Sequence, residues 1–310
     1  MRKIEVFKLG ILAIMSALLL TGCKKDDSDE MEAQEMRLLQ QYLVDKNITQ
    51  APTASGLYYI PIREGTGISP DEGTFIEIHY VGELIDGTVF TTSYQETAET
   101  SGIQDTKFLY GPARLQLGYI GLAGLNEGIQ LMKVGGKAMF ILPSSVAMGG
   151  YVSGSVPAYS TLIYTVELLE AFDDPEKYEQ EKIWDYLKEG AFENVDSTES
   201  GLYYIRDSIG TGEFFVDGNE VKVFYTGKFL DGRVFDSNVG GEVFSVTLPS
   251  AYIIDGWNEG IKLMRNGEKG TLIIPYHLGY GQDGRYDQYG RVVIPPFMTL
   301  VFDLSAELKE

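Results

Sequence analysis

The chain has 310 residues, a length that suggests two domains, with 45 Asp and Glu against 25 Lys and Arg and a formal net charge of −20. A surface that acidic repels nucleic acid and anionic lipid headgroups, which excludes nucleic-acid binding and leaves solubility as the main effect of the charge. Cys23 is the only cysteine, so no disulfide forms within the chain and the fold is held by packing alone.

Arg2, Lys3 and Lys8 make a basic start, and an apolar run follows from Leu9 to Leu20. The run is shorter than the roughly 20 apolar residues a spanning helix needs, so residues 1–22 read as a signal peptide. It ends in Leu19-Leu20-Thr21-Gly22-Cys23, which resembles the lipobox of bacterial lipoproteins. That resemblance implies cleavage before Cys23 and a lipid on its thiol as the membrane anchor. Losing three basic residues and one acidic residue with the leader takes the net charge to −22. Residues 23–50 then form an acidic tether and a helix. The tract Lys24–Glu30 has two readings. It is a solvated, disordered tether, or an export tag of the kind that Lys-Lys-Asp-Asp resembles, directing lipoproteins to the outer face of the outer membrane. The expected location is the cell envelope, as an outer-membrane lipoprotein facing either outward or the periplasm.

Over Met31–Lys46 the residues Met31, Leu38, Leu39, Tyr42 and Leu43 share an apolar stripe at helical spacing. Beyond it the chain repeats itself. Ser55-Gly56-Leu57-Tyr58-Tyr59-Ile60 recurs as Ser200-Gly201-Leu202-Tyr203-Tyr204-Ile205, and His79-Tyr80-Val81-Gly82 answers Phe224-Tyr225-Thr226-Gly227 at the same offset of 145. Leu125-Asn126-Glu127-Gly128 answers Trp257-Asn258-Glu259-Gly260 at an offset of 132, so the first copy carries extra residues. The polar, turn-rich stretch Gln95–Lys107 accommodates them and reads as a surface loop. The copies occupy residues 51–172 and 195–310, with a linker helix at 173–194. In that helix, Pro175–Glu189 offers Ile183, Trp184 and Leu187 as its apolar stripe. Each stripe is expected to pack on its own domain; the other reading is a dimerising arm.

Phe75–Tyr80, Lys137–Leu142 and Thr161–Leu168 have strand character in the first copy. Val221–Tyr225, Gly270–Ile274 and Thr299–Leu304 match them in the second. One short helical window lies in each, at Gly124–Met132 and Gly256–Met264. The class is α+β: two tandem domains, each an antiparallel half-barrel sheet wrapped on one short helix, each preceded by a helix.

In the second copy the blocks become specific. Val223-Phe224-Tyr225-Thr226-Gly227 is followed by Leu230-Asp231-Gly232-Arg233-Val234-Phe235-Asp236-Ser237. Phe244-x-x-x-Leu248, Ile253-Ile254-x-Gly256-Trp257-x-Glu259-Gly260, Gly279-Tyr280-Gly281 and Ile294-Pro295-Pro296-x-x-Thr299-Leu300-x-Phe302 continue the series. Together they resemble the FKBP-type peptidyl-prolyl cis/trans isomerase family in order and close to it in spacing.

The resemblance implies a non-covalent rotamase that takes proline-containing extended or unfolded polypeptide and needs no cofactor or metal. Trp257 would be the pocket floor, with Tyr225, Phe235, Val246, Ile253, Ile254 and Phe302 as walls and Phe244 at a further wall position. Tyr280 Oη and the backbone N–H of Ile254 would bind substrate carbonyls, Asp236 would orient the amide, and Ile294 would line the far rim. Macrolide-type inhibitors of the family are further candidate ligands. Tyr286 and Tyr289, in a longer loop at Gly281–Arg291, are placed to cap the groove. Asp283 and Asp287 in that loop lack calcium-loop spacing, and His79 and His277 read as structural.

The first copy keeps Tyr80, Gly82, Phe90, Glu127 and Gly128. Thr91 replaces the aspartate, Leu125 the tryptophan and Tyr164 the phenylalanine, and no Tyr-Gly pair remains near Met148-Gly149. It is expected to have lost most of its pocket and to fold without isomerising. An alternative for the whole protein is a non-catalytic peptide-binding chaperone or assembly lipoprotein.

Overall fold

A computed structural model describes residues 27–288 and 291–309. The leader, Cys23, the tract up to Asp26 and Tyr289 lie outside the described residues. No described helix is long and apolar enough to cross a membrane.

The first repeat comprises α1 (Asp27–Asp45), β1 (Tyr58–Arg63), β2 (Phe75–Leu84), β3 (Val89–Thr92), α2 (Gln95–Thr100), β4 (Ala113–Gln116), α3 (Ala123–Gln130), β5 (Lys137–Leu142) and β6 (Leu162–Phe172). Its antiparallel sheet runs β1-β5-β6-β2-β3, with β4 also on β2. After the linker helix α4 (Pro175–Glu189), the second repeat comprises β7 (Val195–Ser197), β8 (Tyr203–Ser208), β9 (Glu220–Lys228), β10 (Val234–Ser237), β11 (Phe244–Thr247), α5 (Asp255–Gly260), β12 (Glu268–Ile274), β13 (Arg285–Tyr286), β14 (Val292–Ile294) and β15 (Leu300–Leu308). The second sheet runs β10-β9-β15-β12-β8-β7, with β11 on β9. Apart from β7, which pairs with β8 and has no counterpart in the first sheet, the two sheets repeat one topology, as the duplicated sequence requires.

Where a sheet is buried on both faces its strands carry consecutive apolar residues, as at Phe140–Leu142 and Leu272–Ile274, while β2 and β9 alternate between buried and less buried positions. On the inner face Leu272, Ile274, Leu300 and Phe302 pack against Trp257 of α5. On the outer face Ile205, Ile273 and Val301 pack against Ile183 of α4. The first repeat does the same: Phe140, Leu142 and Leu162 face inward beside Leu125, while Ile141 and Ile163 receive Leu39 and Leu43 of α1. Glycine lets the inner helix lie flush on the sheet, since a Cβ at Gly260 would sit 2.3 Å from Leu272. Each preceding helix therefore packs on its own repeat, as expected, but on the face opposite the inner helix.

Several details depart from the sequence reading. Helix α1 begins inside the charged tract, because Asp27, Asp29 and Glu30 in its first turn complement the helix dipole. Met31, Leu38 and Trp184 are exposed rather than part of the buried stripes. Buried glutamates take up that role. Glu35 of α1 accepts from Ser144 N at 2.6 Å and from Thr161 Oγ1 at 2.8 Å, and Glu179 of α4 accepts from Thr299 N at 2.8 Å. The stretch Gln95–Lys107 contains helix α2, anchored by the fully buried Ala98, so it is only partly a loop. The chain after it crosses to the second repeat: Leu109 packs on that repeat's core, Asp105 pairs with Arg291, and Tyr110 O accepts from Arg233 Nη1 at 3.2 Å. In the longer loop that follows Tyr280, Arg285–Tyr286 likewise take strand form, with β13 paired to β14. His79 bonds Ser93 Oγ at 2.9 Å and stacks on Tyr94; His277 Nε2 lies 2.9 Å from Ser200 O.

Candidate active site

A cavity of about 490 Å³ opens at the end of the second sheet, lined by Tyr225, Phe235, Asp236, Phe244, Ile253, Ile254, Trp257, Tyr280 and Phe302, together with Ala251, Tyr252, Asp255 and Gly279. These are nine of the eleven substrate-site residues named from the sequence. Val246 and Ile294 do not reach it: both are buried in the core behind it. Val246 pairs across the sheet with Val221, and Ile294 pairs across the hairpin with Arg285. Tyr252, Ala251, Asp255 and Gly279 were not anticipated; their adjacency to Ile253, Ile254 and Tyr280 was the one available signal.

The cavity is a cage of rings set edge to face. Trp257 lies at its base, 5% exposed, with centroids 5.0 Å from Tyr225, 5.2 Å from Phe302 and 5.8 Å from Phe244, all near perpendicular. Phe235 meets Phe302 at 5.6 Å. Such T-shaped contacts favour the ring quadrupoles and leave an apolar hollow between them. The register explains how strands deliver these rings. Gly227 stands opposite both Phe302 and Asp236, and a Cβ there would lie 2.7 Å from Phe235 and 2.8 Å from Phe302. Trp257 rides the first turn of α5, which Ile254 introduces as the extended residue before the helix. Trp257 Nε1 is buried with no acceptor among the described residues.

Polar groups concentrate on one side of the cage. Tyr225 Oη donates to Asp236 Oδ2 at 2.9 Å. Burial, then that hydrogen bond and the Asp236 charge, push the Tyr225 hydroxyl up to about 12, so it stays protonated as a donor at neutral pH. Tyr280 lies across the opening, with Arg285 stacked over its ring at 5.7 Å. Tyr286 does not cap the groove; it faces away, half-exposed, toward Phe297 and the first repeat. The arrangement places an aromatic hollow beside a hydroxyl donor and a carboxylate, with Tyr225, Asp236 and Tyr280 all lining the same cavity.

The first repeat retains a cavity of about 430 Å³ at the equivalent place, lined by Tyr80, Thr91, Leu125 and Tyr164. This corrects the expectation that most of the pocket had gone. Leucine occupies less room than the tryptophan it replaces, and Arg233, Val292, Val293 and Pro295 of the second repeat wall the space in. Thr91 opposes Gly82 as Asp236 opposes Gly227, so the carboxylate is absent at the matching register.

The family model described as FKBP-type peptidyl-prolyl cis-trans isomerase matches residues 67–169 and 212–306. Among relatives, the FKBP-type 22 kDa peptidyl-prolyl cis-trans isomerase of Escherichia coli is 35% identical over 193 residues, covering 59% of this chain and 89% of that protein. A probable FKBP-type isomerase of Haemophilus influenzae is 40% identical over 113 residues, 36% of this chain and 44% of that one. The mouse peptidyl-prolyl cis-trans isomerase FKBP9 is 27% identical over 234 residues. The match covers 75% of this chain but spans about a third of the length of the mouse protein, 34%.

Proposed function

The chain belongs to the FKBP-type peptidyl-prolyl cis-trans isomerase family, and from that premise we propose that its second repeat, residues 195–310, catalyses X–Pro rotation in extended or unfolded polypeptides. The first repeat, residues 51–172, folds without turning over substrate. The observation that carries the reading is the ring cage on Trp257 with the Tyr225–Asp236 hydrogen bond at its edge.

Rotation of a prolyl amide meets a barrier of about 18–20 kcal/mol because resonance is lost as the bond twists. No covalent step is needed to lower it; the site need only bind the twisted amide better than either planar form. The proline ring enters the cage against Trp257, with Phe235 and Phe302 as walls. Once twisted, the amide carbonyl is no longer conjugated with nitrogen, and an apolar surrounding removes the water that favours the planar, more polar form. Ile254 N–H and Tyr280 Oη hold flanking carbonyls of the substrate. Asp236, held by Tyr225, orients the reacting amide.

In the cell the enzyme is an envelope lipoprotein, anchored through a lipid on Cys23 and assisting exported chains whose slow folding steps are X–Pro isomerisations. Metabolic palmitate labelling that persists in Cys23→Ala would remove the anchor from this reading. The family's macrolide-type inhibitors compete for the same cage.

The test is a protease-free isomerase assay of the full chain beside a Tyr225→Phe, Asp236→Val variant of unchanged melting temperature. The reading expects a loss of at least about tenfold in kcat/KM. A folded wild-type protein that binds prolyl peptide without turnover would instead make it a non-catalytic peptide binder.

A further inference from the structure

The two repeats meet on Arg114 of β4, whose side chain is only 4% exposed. Its Nε and Nη2 both donate to Glu77 Oε1, at 3.0 and 2.6 Å, and Nη2 lies 2.8 Å from Glu179 Oε1 of the linker helix. The stacked rings of Phe172 and Tyr178 each lie 5.4 Å from its Cζ. The remaining nitrogen, Nη1, leaves the first repeat altogether: it donates to Phe297 O of the second at 2.9 Å, with Pro296 O at 3.5 Å.

Phe297 closes the loop that carries Tyr280. Its φ is +55°, a left-handed conformation that a bulky residue adopts only when its surroundings impose it. Those surroundings come from both repeats. Its ring lies between Phe75 and Tyr276, at 5.2 Å from each. Its N–H donates to Gly281 O at 3.1 Å, and Gly281 N donates back to Tyr276 O at 2.8 Å. From Arg114 to the residue beside Tyr280 the path is therefore two hydrogen bonds. Glu179 fixes the far end of the same loop through Thr299 N, three residues before Phe302 of the cage.

A buried ion cluster adds little net stability over well-packed apolar side chains. What a planar guanidinium supplies, and a lysine does not, is a fixed set of donor directions. We propose that Arg114 of the first repeat is a positioning residue for the pocket of the second. It holds the Tyr276–Thr299 loop so that Tyr280 presents its hydroxyl to the substrate. This rests on the reading of that pocket as catalytic. It also gives the first repeat a role that its altered pocket does not.

The test is a double-mutant cycle on the full chain with Arg114→Lys and Tyr280→Phe. It is accompanied by aromatic NMR of Tyr280, with Tyr204 as a distant reference. Arg114→Lys is expected to lower kcat/KM about tenfold, chiefly through KM. It should add nothing further in the Tyr280→Phe background, and Tyr280 resonances should move while those of Tyr204 stay. Additive losses, or Tyr280 resonances that do not move, overturn the proposal. An inactive wild-type chain whose Tyr280 signals still respond to Arg114→Lys retains the positioning and removes the catalytic reading instead. Should Arg114→Lys fail to fold, Arg114→Met with Glu77→Gln and Glu179→Gln, which removes the buried charges together, gives the same comparison.

Discussion

Tyr225 does two things in the second cage: its ring closes one wall against Trp257 and its hydroxyl holds Asp236. Because burial and Asp236 raise its ionisation in the fold to about 12, the neutral hydroxyl is the form the fold favours. The stability this contributes is fully present below the unfolded value of about 10 and is lost as pH rises from there toward about 12. Turnover is accordingly expected to show no basic limb from Tyr225 below about pH 10, which a profile of kcat/KM against pH checks. Tyr225→Phe is expected to flatten the alkaline end of the melting profile, which titrating melting temperature against pH checks. The pocket residues were legible because their types and spacing followed one family's pattern. Val246 and Ile294 were not separable from them, since a wall residue and a core residue of an alternating strand look alike until packing decides. Arg114, Glu35 and Glu179 were illegible for another reason: a charge reads as exposed unless its partners, far off in sequence, are known.

Among the elements, β9 depends on a missing side chain. Gly227→Ala would drive a methyl into Phe235 and Phe302. It is expected to destabilise the chain by about 1–3 kcal/mol in urea unfolding and to cut turnover beyond what stability explains. Helix α1 is fastened by Glu35, which accepts from Ser144 N, Ser144 Oγ and Thr161 Oγ1. Glu35→Leu strands those buried donors and should cost about 3 kcal/mol by the same measurement. The strands at 75–80 and 221–225 were legible from their alternation, and the Pro175–Glu189 helix matches to the residue, with Asp174 capping Lys177 N and proline in the first turn. The hairpin of β13 and β14 and the helix α2 were not, because both draw their order from contacts across the repeats or from one buried alanine.

At the scale of the whole molecule, the duplication announced the two sheets but not how they join. The seam is built from Arg114, from Arg291 with Asp105, and from Arg233 with Tyr110, pairs with sequence separations above 120 residues. The strongly negative net charge, −20 over the chain, has a consequence for peptide substrates. Lysine-flanked X–Pro peptides should turn over about fivefold faster than glutamate-flanked ones at low salt, with the gap closing as salt is raised. The central claim is that one cage of the two performs the chemistry, and Trp257→Leu in the full chain tests it by giving the second repeat the residue the first already has. Prolyl isomerase activity should fall to the uncatalysed background while the melt stays cooperative. Activity that survives with the cage floor removed would contradict the account, since the tryptophan would then not be what separates a working cage from an idle one.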